Sequence, residues 1–104
     1  MLITTTPGIE RRPVTEYLGI VTAQGVLGVN AVKDVSAGMR NIFGGRVKSY
    51  ENELASGVSD ALAEMEKQAA KLGADAVVGV DVDYESMGSN MLIVSASGTA
   101  VKLG

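Results

Sequence analysis

The sequence predicts an α+β subunit of order β-α-α-β-β, with a long helix packed on a three-stranded mixed sheet. Three observations predict it. Val14 to Leu27 is rich in Val, Ile, Thr and Tyr, the residues that favour strands. Tyr50, Leu54, Val58, Ala61, Met65, Ala69 and Leu72 recur at helical steps. Asp75–Glu85 and Met91–Lys102 each alternate around the turn-forming stretch Ser86-Met87-Gly88-Ser89-Asn90, which predicts a hairpin.

Taken in order, residues 1–13 contain the breakers Pro7-Gly8 and Pro13 and leave room for at most a short edge strand such as Leu2–Thr4. The long strand Val14–Leu27 carries Val14, Leu18, Ile20 and Val26 on its even face, and Tyr17, Val21, Ala23 and Leu27 on its odd face. A strand apolar on both sides calls for cover on both sides. Gly19 and Gly25 mark bulges or a close backbone approach. Asn30 suits the N-cap of a first helix along Val32, Val35, Met39 and Ile42, which Gly44-Gly45 ends.

Ser49 reads as the N-cap of the second, longer helix. Glu51 and Glu53 sit early in it, and Lys67 and Lys71 late, which matches the helix dipole. Gly73 is its C′ residue. In the hairpin, Ala76, Val78, Val80, Val82 and Tyr84 share one face, against Val77, Gly79, Asp81, Asp83 and Glu85 on the other. Leu92, Val94, Ala96, Gly98 and Ala100 face away from Ile93, Ser95, Ser97 and Thr99. The helical crossover makes the first two long strands parallel, and the third fits between them, giving order 1-3-2. Residues 1–104 form one domain, with no linker or internal repeat.

Composition narrows the chemistry. The chain has 104 residues, a net charge of −3, no Cys and no His. Disulfides, thiolate zinc sites, cysteine nucleophiles and the Ser-His-Asp triad are excluded at once. The acidic balance counts against nucleic acid. No apolar run approaches the ~20 residues of a membrane span, and Met1-Leu2-Ile3-Thr4 does not open like a signal peptide, so a cytoplasmic location is expected. A mean hydropathy of +0.21 in so short a chain, with a strand apolar on both faces, predicts an obligate homo-oligomer.

Two stretches are candidate sites. Asp81, Asp83 and Glu85 lie at alternate positions on one strand face, and carboxylates suit a hard cation such as Ca²⁺, Mg²⁺ or Mn²⁺. A solvated strand face explains the same pattern, because neighbours on one face sit about 7 Å apart. Gly44, Gly45, Arg46 and Ser49 combine backbone donors, a cation and a helix start, a setting for a small anion, against the plainer reading of a solvated corner. Gly25–Asn30 offers a helix start without a cation. The methionines Met39 and Met65 fit core stripes better than a Cu(I) site, while Met87 and Met91 flank the hairpin loop. Tyr17, Tyr50 and Tyr84 read as packing residues with a polar tip. No cofactor motif is present, and no high-affinity Zn²⁺, Cu²⁺ or Cd²⁺ site is expected within one subunit.

The chain also resembles the YbjQ-like family of small bacterial proteins, a family labelled as putative heavy-metal-binding. The resemblance rests on Thr5-Thr6-Pro7, Glu16-Tyr17-Leu18-Gly19, Gly28-Val29-Asn30, Gly44-Gly45-Arg46, Tyr50-Glu51-Asn52-Glu53-Leu54, Leu72 to Gly79 and Ser95 to Val101. It implies a dodecin-like β-α-β-β subunit in a closed ring, a pentamer, with rings stacked in pairs. Lys33-Asp34 stands where the family pattern has Arg-Asp, and Val58 where relatives carry a basic residue. The leading expectation is a non-enzymatic homo-oligomeric ring that binds a small ligand or ion at subunit boundaries. The alternatives are an interaction platform without a ligand, and an enzyme on an anionic substrate built from Asp34, Arg40, Arg46, Tyr50 and Glu51.

Overall fold

A computed structural model describes residues 1–27, 46–87 and 91–104, with side chains for residues 1–26, 55–85 and 92–104. Its elements are strand β1 (Leu2–Ile3), strand β2 (Val14–Leu27), helix α1 (Arg46–Lys71), strand β3 (Ala76–Met87) and strand β4 (Met91–Leu103). The expected first helix, from Asn30 to Ile42, lies outside the described residues.

Among the described residues the sheet has four strands, in order β1-β3-β4-β2, and not three. The extra strand is the short Leu2–Ile3, which pairs parallel to β3 through Leu2↔Ala76 and Ile3↔Val77. It lies where the sequence left room for a short edge strand, Leu2–Thr4, which the expected three-stranded sheet did not include. The three long strands keep the expected arrangement, with β4 antiparallel to both β2 and β3.

Helix α1 already includes Arg46, so Ser49 lies inside it and is not its cap. At the other end Gly73 has φ 78° and closes the helix as expected. The Gly73 N–H donates to the Ala70 carbonyl at 3.0 Å, and the Ala74 N–H donates to the Ala69 carbonyl at 3.1 Å. That pair of bonds is a Schellman cap, which satisfies carbonyls the helix itself cannot. Of the expected stripe, Ala61, Met65 and Ala69 are buried and Val58 is half-buried, whereas Leu72 is exposed. Leu72 sits where the chain unwinds into the cap, beyond the face that meets the sheet.

Two bulges decide which residues meet the helix. Between Tyr17 and Gly19, β2 advances two positions while β4 advances one, and Gly19 takes φ 127°. Between Val78 and Asp81, β3 advances three positions against two on β4, and Gly79 takes φ 61°. Each extra residue reverses the in-out alternation beyond it. Leu18 therefore joins Val21 and Ala23 beneath the helix instead of sharing a face with Ile20. Likewise Val77 joins Val80 and Val82 beneath the helix, while Ala76 and Val78 face the other way. The expected Ala76–Tyr84 face is thus two half-faces, spliced at Gly79.

The main core consists of Val21, Ala23, Ala61, Met65, Ala69, Val77, Val80, Val94, Ala96 and Ala100. Small side chains keep helix and sheet close. A second cluster, Ala76, Val78 and Val101, lies on the far side of the sheet, packed against Ile9, Val14 and Leu103. The N-terminal segment is held there by hydrogen bonds across the β3 bulge. The Gly79 N–H donates to the Thr6 carbonyl at 2.8 Å, and the Val80 N–H to the Thr4 carbonyl at 3.0 Å.

Candidate functional site

Beyond that small cluster, the sheet face opposite α1 is open among the described residues. Its side chains are set by ladder register. One row runs Asp81, Ser97, Thr22, and the next runs Asp83, Ser95, Gln24. A third runs Glu85, Ile93, Val26. Cross-strand neighbours on one face lie about 5 Å apart, so each row brings its polar groups within interacting range. A depression of about 280 Å³ opens on this face, lined by Thr22, Gln24, Asp83, Ser95 and Ser97 together with Ala23 and Ala96.

Of the three acids singled out in the sequence, Asp81 and Asp83 come together and Glu85 does not join them. The Asp83 carboxyl is pushed above its ordinary range, first by a side-chain hydrogen bond with Asp81, then by the charge of Asp81, and least by desolvation. One proton shared between two carboxyls relieves the repulsion of two like charges. Among the described residues no group of three or more acidic side chains is arranged to hold a metal ion. The β3 bulge is what puts these acids on the open face: without the extra residue they would point at α1.

The hydroxyl and amide groups around Asp83 were visible in the sequence only as polar alternation. Their convergence depends on the register of β4 between β2 and β3, which no local pattern states. Exposed apolar residues share the same face. Ile20 is 79% exposed and Tyr17 is 74% exposed. On the helix side, Tyr84 is also exposed, at the margin of the area that α1 covers. Tyr17 and Tyr84 are therefore not the packing residues their strand positions suggested.

The other candidate corner is only partly described. Gly44 and Gly45 lie outside the described residues, as do Asp34 and Arg40. Arg46, Ser49, Tyr50 and Glu51 are placed on the first turns of α1 by their backbone alone. The side chains of Met87 and Met91 fall outside the described set, while Met65 is fully buried and fills the core.

Comparison with known proteins gives the wider setting. A family model described as "Putative heavy-metal-binding", YbjQ_1, matches residues 1–104. A UPF0145 protein of Clostridium botulinum is 53% identical over 103 residues, covering 97% of each chain. A UPF0145 protein of Bifidobacterium longum subsp. infantis is 51% identical over 105 residues, covering 99% of this chain and 96% of its own. Among solved structures, a Pediococcus pentosaceus protein of unknown function from the DUF74 family superposes with a TM-score of 0.71, covering 100% of this chain and 98% of its own. At 21% identity it speaks for the fold alone. The full-length family match and the relatives at half identity agree with the motifs from Thr5 to Val101: the chain belongs to the YbjQ-like family.

Proposed function

We propose that the chain is a non-enzymatic, cytoplasmic homo-oligomeric ring protein that binds a small ligand or an oxygen-ligated cation at its subunit boundaries. The observation that carries this reading is the open sheet face, where exposed Tyr17, Ile20 and Val26 adjoin the polar depression around Asp83. Apolar side chains on an open face are a cost to a monomer and an asset to an interface. The pentameric ring, and rings stacked in pairs, come from the family resemblance.

The family's heavy-metal label does not fit the donors of this chain. Soft metals select thiolate and imidazole, and the sequence has no Cys and no His. Carboxylates and hydroxyls suit Mg²⁺, Ca²⁺ or Mn²⁺ instead. One subunit brings two neighbouring carboxylates to the open face, and a ring repeats them. Among the described residues no helix is long and apolar enough to cross a membrane.

Native mass spectrometry with added Mn²⁺ or Zn²⁺ tests both parts. The reading expects a closed multimer near five subunits that retains Mn²⁺, with retention lost on Asp81→Asn/Asp83→Asn substitution. A monodisperse monomer at micromolar concentration overturns the assembly. Stoichiometric Zn²⁺ that survives a mild chelator overturns the choice of hard cation. A small anion at Gly44–Ser49 is a further ligand position, supported by Gly44-Gly45-Arg46 with Lys48 and Ser49 in the sequence. It predicts phosphate-induced amide shifts confined to residues 44–50 and lost in Arg46→Ala; shifts spread over all surface Lys and Arg residues reject it.

A further inference from the structure

The depression on the sheet face opposite α1 takes its shape from side-chain length. Ser95 and Ser97 are short and stand on the central strand β4, with the longer Asp83 beside them on β3 and Gln24 on β2. Ala23 and Ala96 turn their methyl groups into the core beneath α1, so what they give the depression is main chain. The floor is therefore the flat β2–β4 ladder, and the side chains around it carry the recognition. They are the hydroxyls of Thr22, Ser95 and Ser97, the amide of Gln24 and the carboxyl of Asp83. We propose that this depression binds a neutral polyol of monosaccharide size, held by the polar rows that cross β3, β4 and β2. This rests on the reading of the open face as a ligand site and names the class of ligand it takes.

The lining selects this class by elimination. No Lys or Arg is among the lining residues, and the Asp83 carboxylate repels a phosphate, a sulfate or another carboxylate. A divalent cation gathers about six oxygens around carboxylates. Its place is beside Asp81 and Asp83, whereas the depression runs from Asp83 across β4 to β2 over neutral groups. An apolar ligand would strip water from three hydroxyls and an amide and put nothing in its place. A polyol does replace that water. Its hydroxyls both donate and accept, as do those of Thr22, Ser95 and Ser97, so each pair can orient to suit. Two adjacent hydroxyls can donate to the two oxygens of Asp83, and the Gln24 amide offers donors and an acceptor from the opposite wall. Size agrees with a single ring. The volume of about 280 Å³ falls at the low end of small-molecule sites, about 300–1,000 Å³. On the same face Ile20 and Val26 flank the polar rows, both exposed, and offer apolar contact to the C–H surface of such a ring.

Amide NMR shifts of the full-length protein, titrated with D-glucose, D-ribose and myo-inositol, test this, with Ca²⁺ and inorganic phosphate titrated in parallel. The proposal expects saturable shifts from at least one of the three polyols at millimolar concentration, confined to residues 22–24, 83 and 95–97. Thr22→Val and Ser95→Ala each remove one hydroxyl from outside the core, and circular dichroism should show the fold unchanged. Each should weaken polyol binding about fivefold, the loss of one hydrogen bond. Shifts that spread over the surface without saturating, or that survive both substitutions at full affinity, overturn the proposal. Phosphate shifts at the same residues overturn the choice of a neutral ligand. Polyols without effect, while Ca²⁺ shifts Asp81 and Asp83, overturn the proposal and leave the ligand reading of the open face standing. Silence toward the polyols and Ca²⁺ alike overturns both.

Discussion

Gly25 and Gly57 meet backbone to backbone: a Cβ on Gly25 would lie 2.8 Å from the Gly57 carbonyl oxygen. Glycine on strand and helix alike lets α1 settle on the end of β2 without a side chain between them. The neighbouring core residues are correspondingly small, Ala23 and Ala61 among them. Gly25→Ala forces a shift of main chain against main chain, which no rotamer change can relieve. Overpacking of this kind costs about 1–3 kcal/mol. Chemical denaturation should show that loss, and an unchanged midpoint would mean that α1 and β2 are not in such close contact.

The β3 bulge makes a sharper prediction. Gly79 sits at φ 61°, where an L side chain costs about 1–2 kcal/mol, so Gly79→Ala destabilises by that amount. Deleting Gly79 does far more. It removes the extra residue and turns Asp81, Asp83 and Glu85 toward α1. Three carboxylates beneath a helix have no partners there, and the deletion variant should fail to fold, as read by circular dichroism. A folded, cooperative deletion variant would show that the bulge does not set the facing of β3.

How much of this was legible in the sequence divides along the same line. The ends of β2 at Val14 and Leu27, the Gly73 cap and the close approach at Gly25 could be read from local pattern, because each depends on a few neighbouring residues. The facing of Val77 and Val78 could not, because alternation assumes an unbroken pleat and Gly79 breaks it. A clue existed in Gly98, where a Cβ would lie 2.7 Å from Val77 Cγ1 and 3.0 Å from Val80 Cγ2. Only a glycine on β4 lets those two valines share a face. The acids of the candidate site were legible as residue types; the hydroxyl and amide groups beside them were not, since cross-strand register is a property of three strands at once.

Adjacent residues on β2 should respond in opposite ways to the same substitution. Val21 is 3% exposed and packs in the core beneath α1. Val21→Asp buries a carboxylate without a partner and should unfold the subunit. Ile20, on the open face, touches no core. Ile20→Asp should leave the secondary structure and thermal cooperativity of the subunit intact while weakening assembly in light scattering. Loss of fold in both variants would remove the distinction between a core face and an interface face on β2.

The carboxyl pair on the open face supplies a dependence on pH whose sign is fixed. The raised pKa of Asp83 means that the folded chain holds this proton more tightly than the unfolded chain does. Stability from this group therefore grows as pH falls through the raised value, and is lost as pH rises above it, where repulsion from Asp81 remains. Asp81→Asn removes the charge and leaves an amide that donates to the Asp83 carboxylate, so both leading causes of the shift disappear. The Asp83 midpoint should move down toward the ordinary carboxylate range in a carboxyl-detected NMR titration. The acid-side gain in melting temperature should flatten with it, with no loss of stability at neutral pH. A midpoint that stays raised in Asp81→Asn would leave desolvation as its cause, and would separate the two aspartates as independent groups on the sheet.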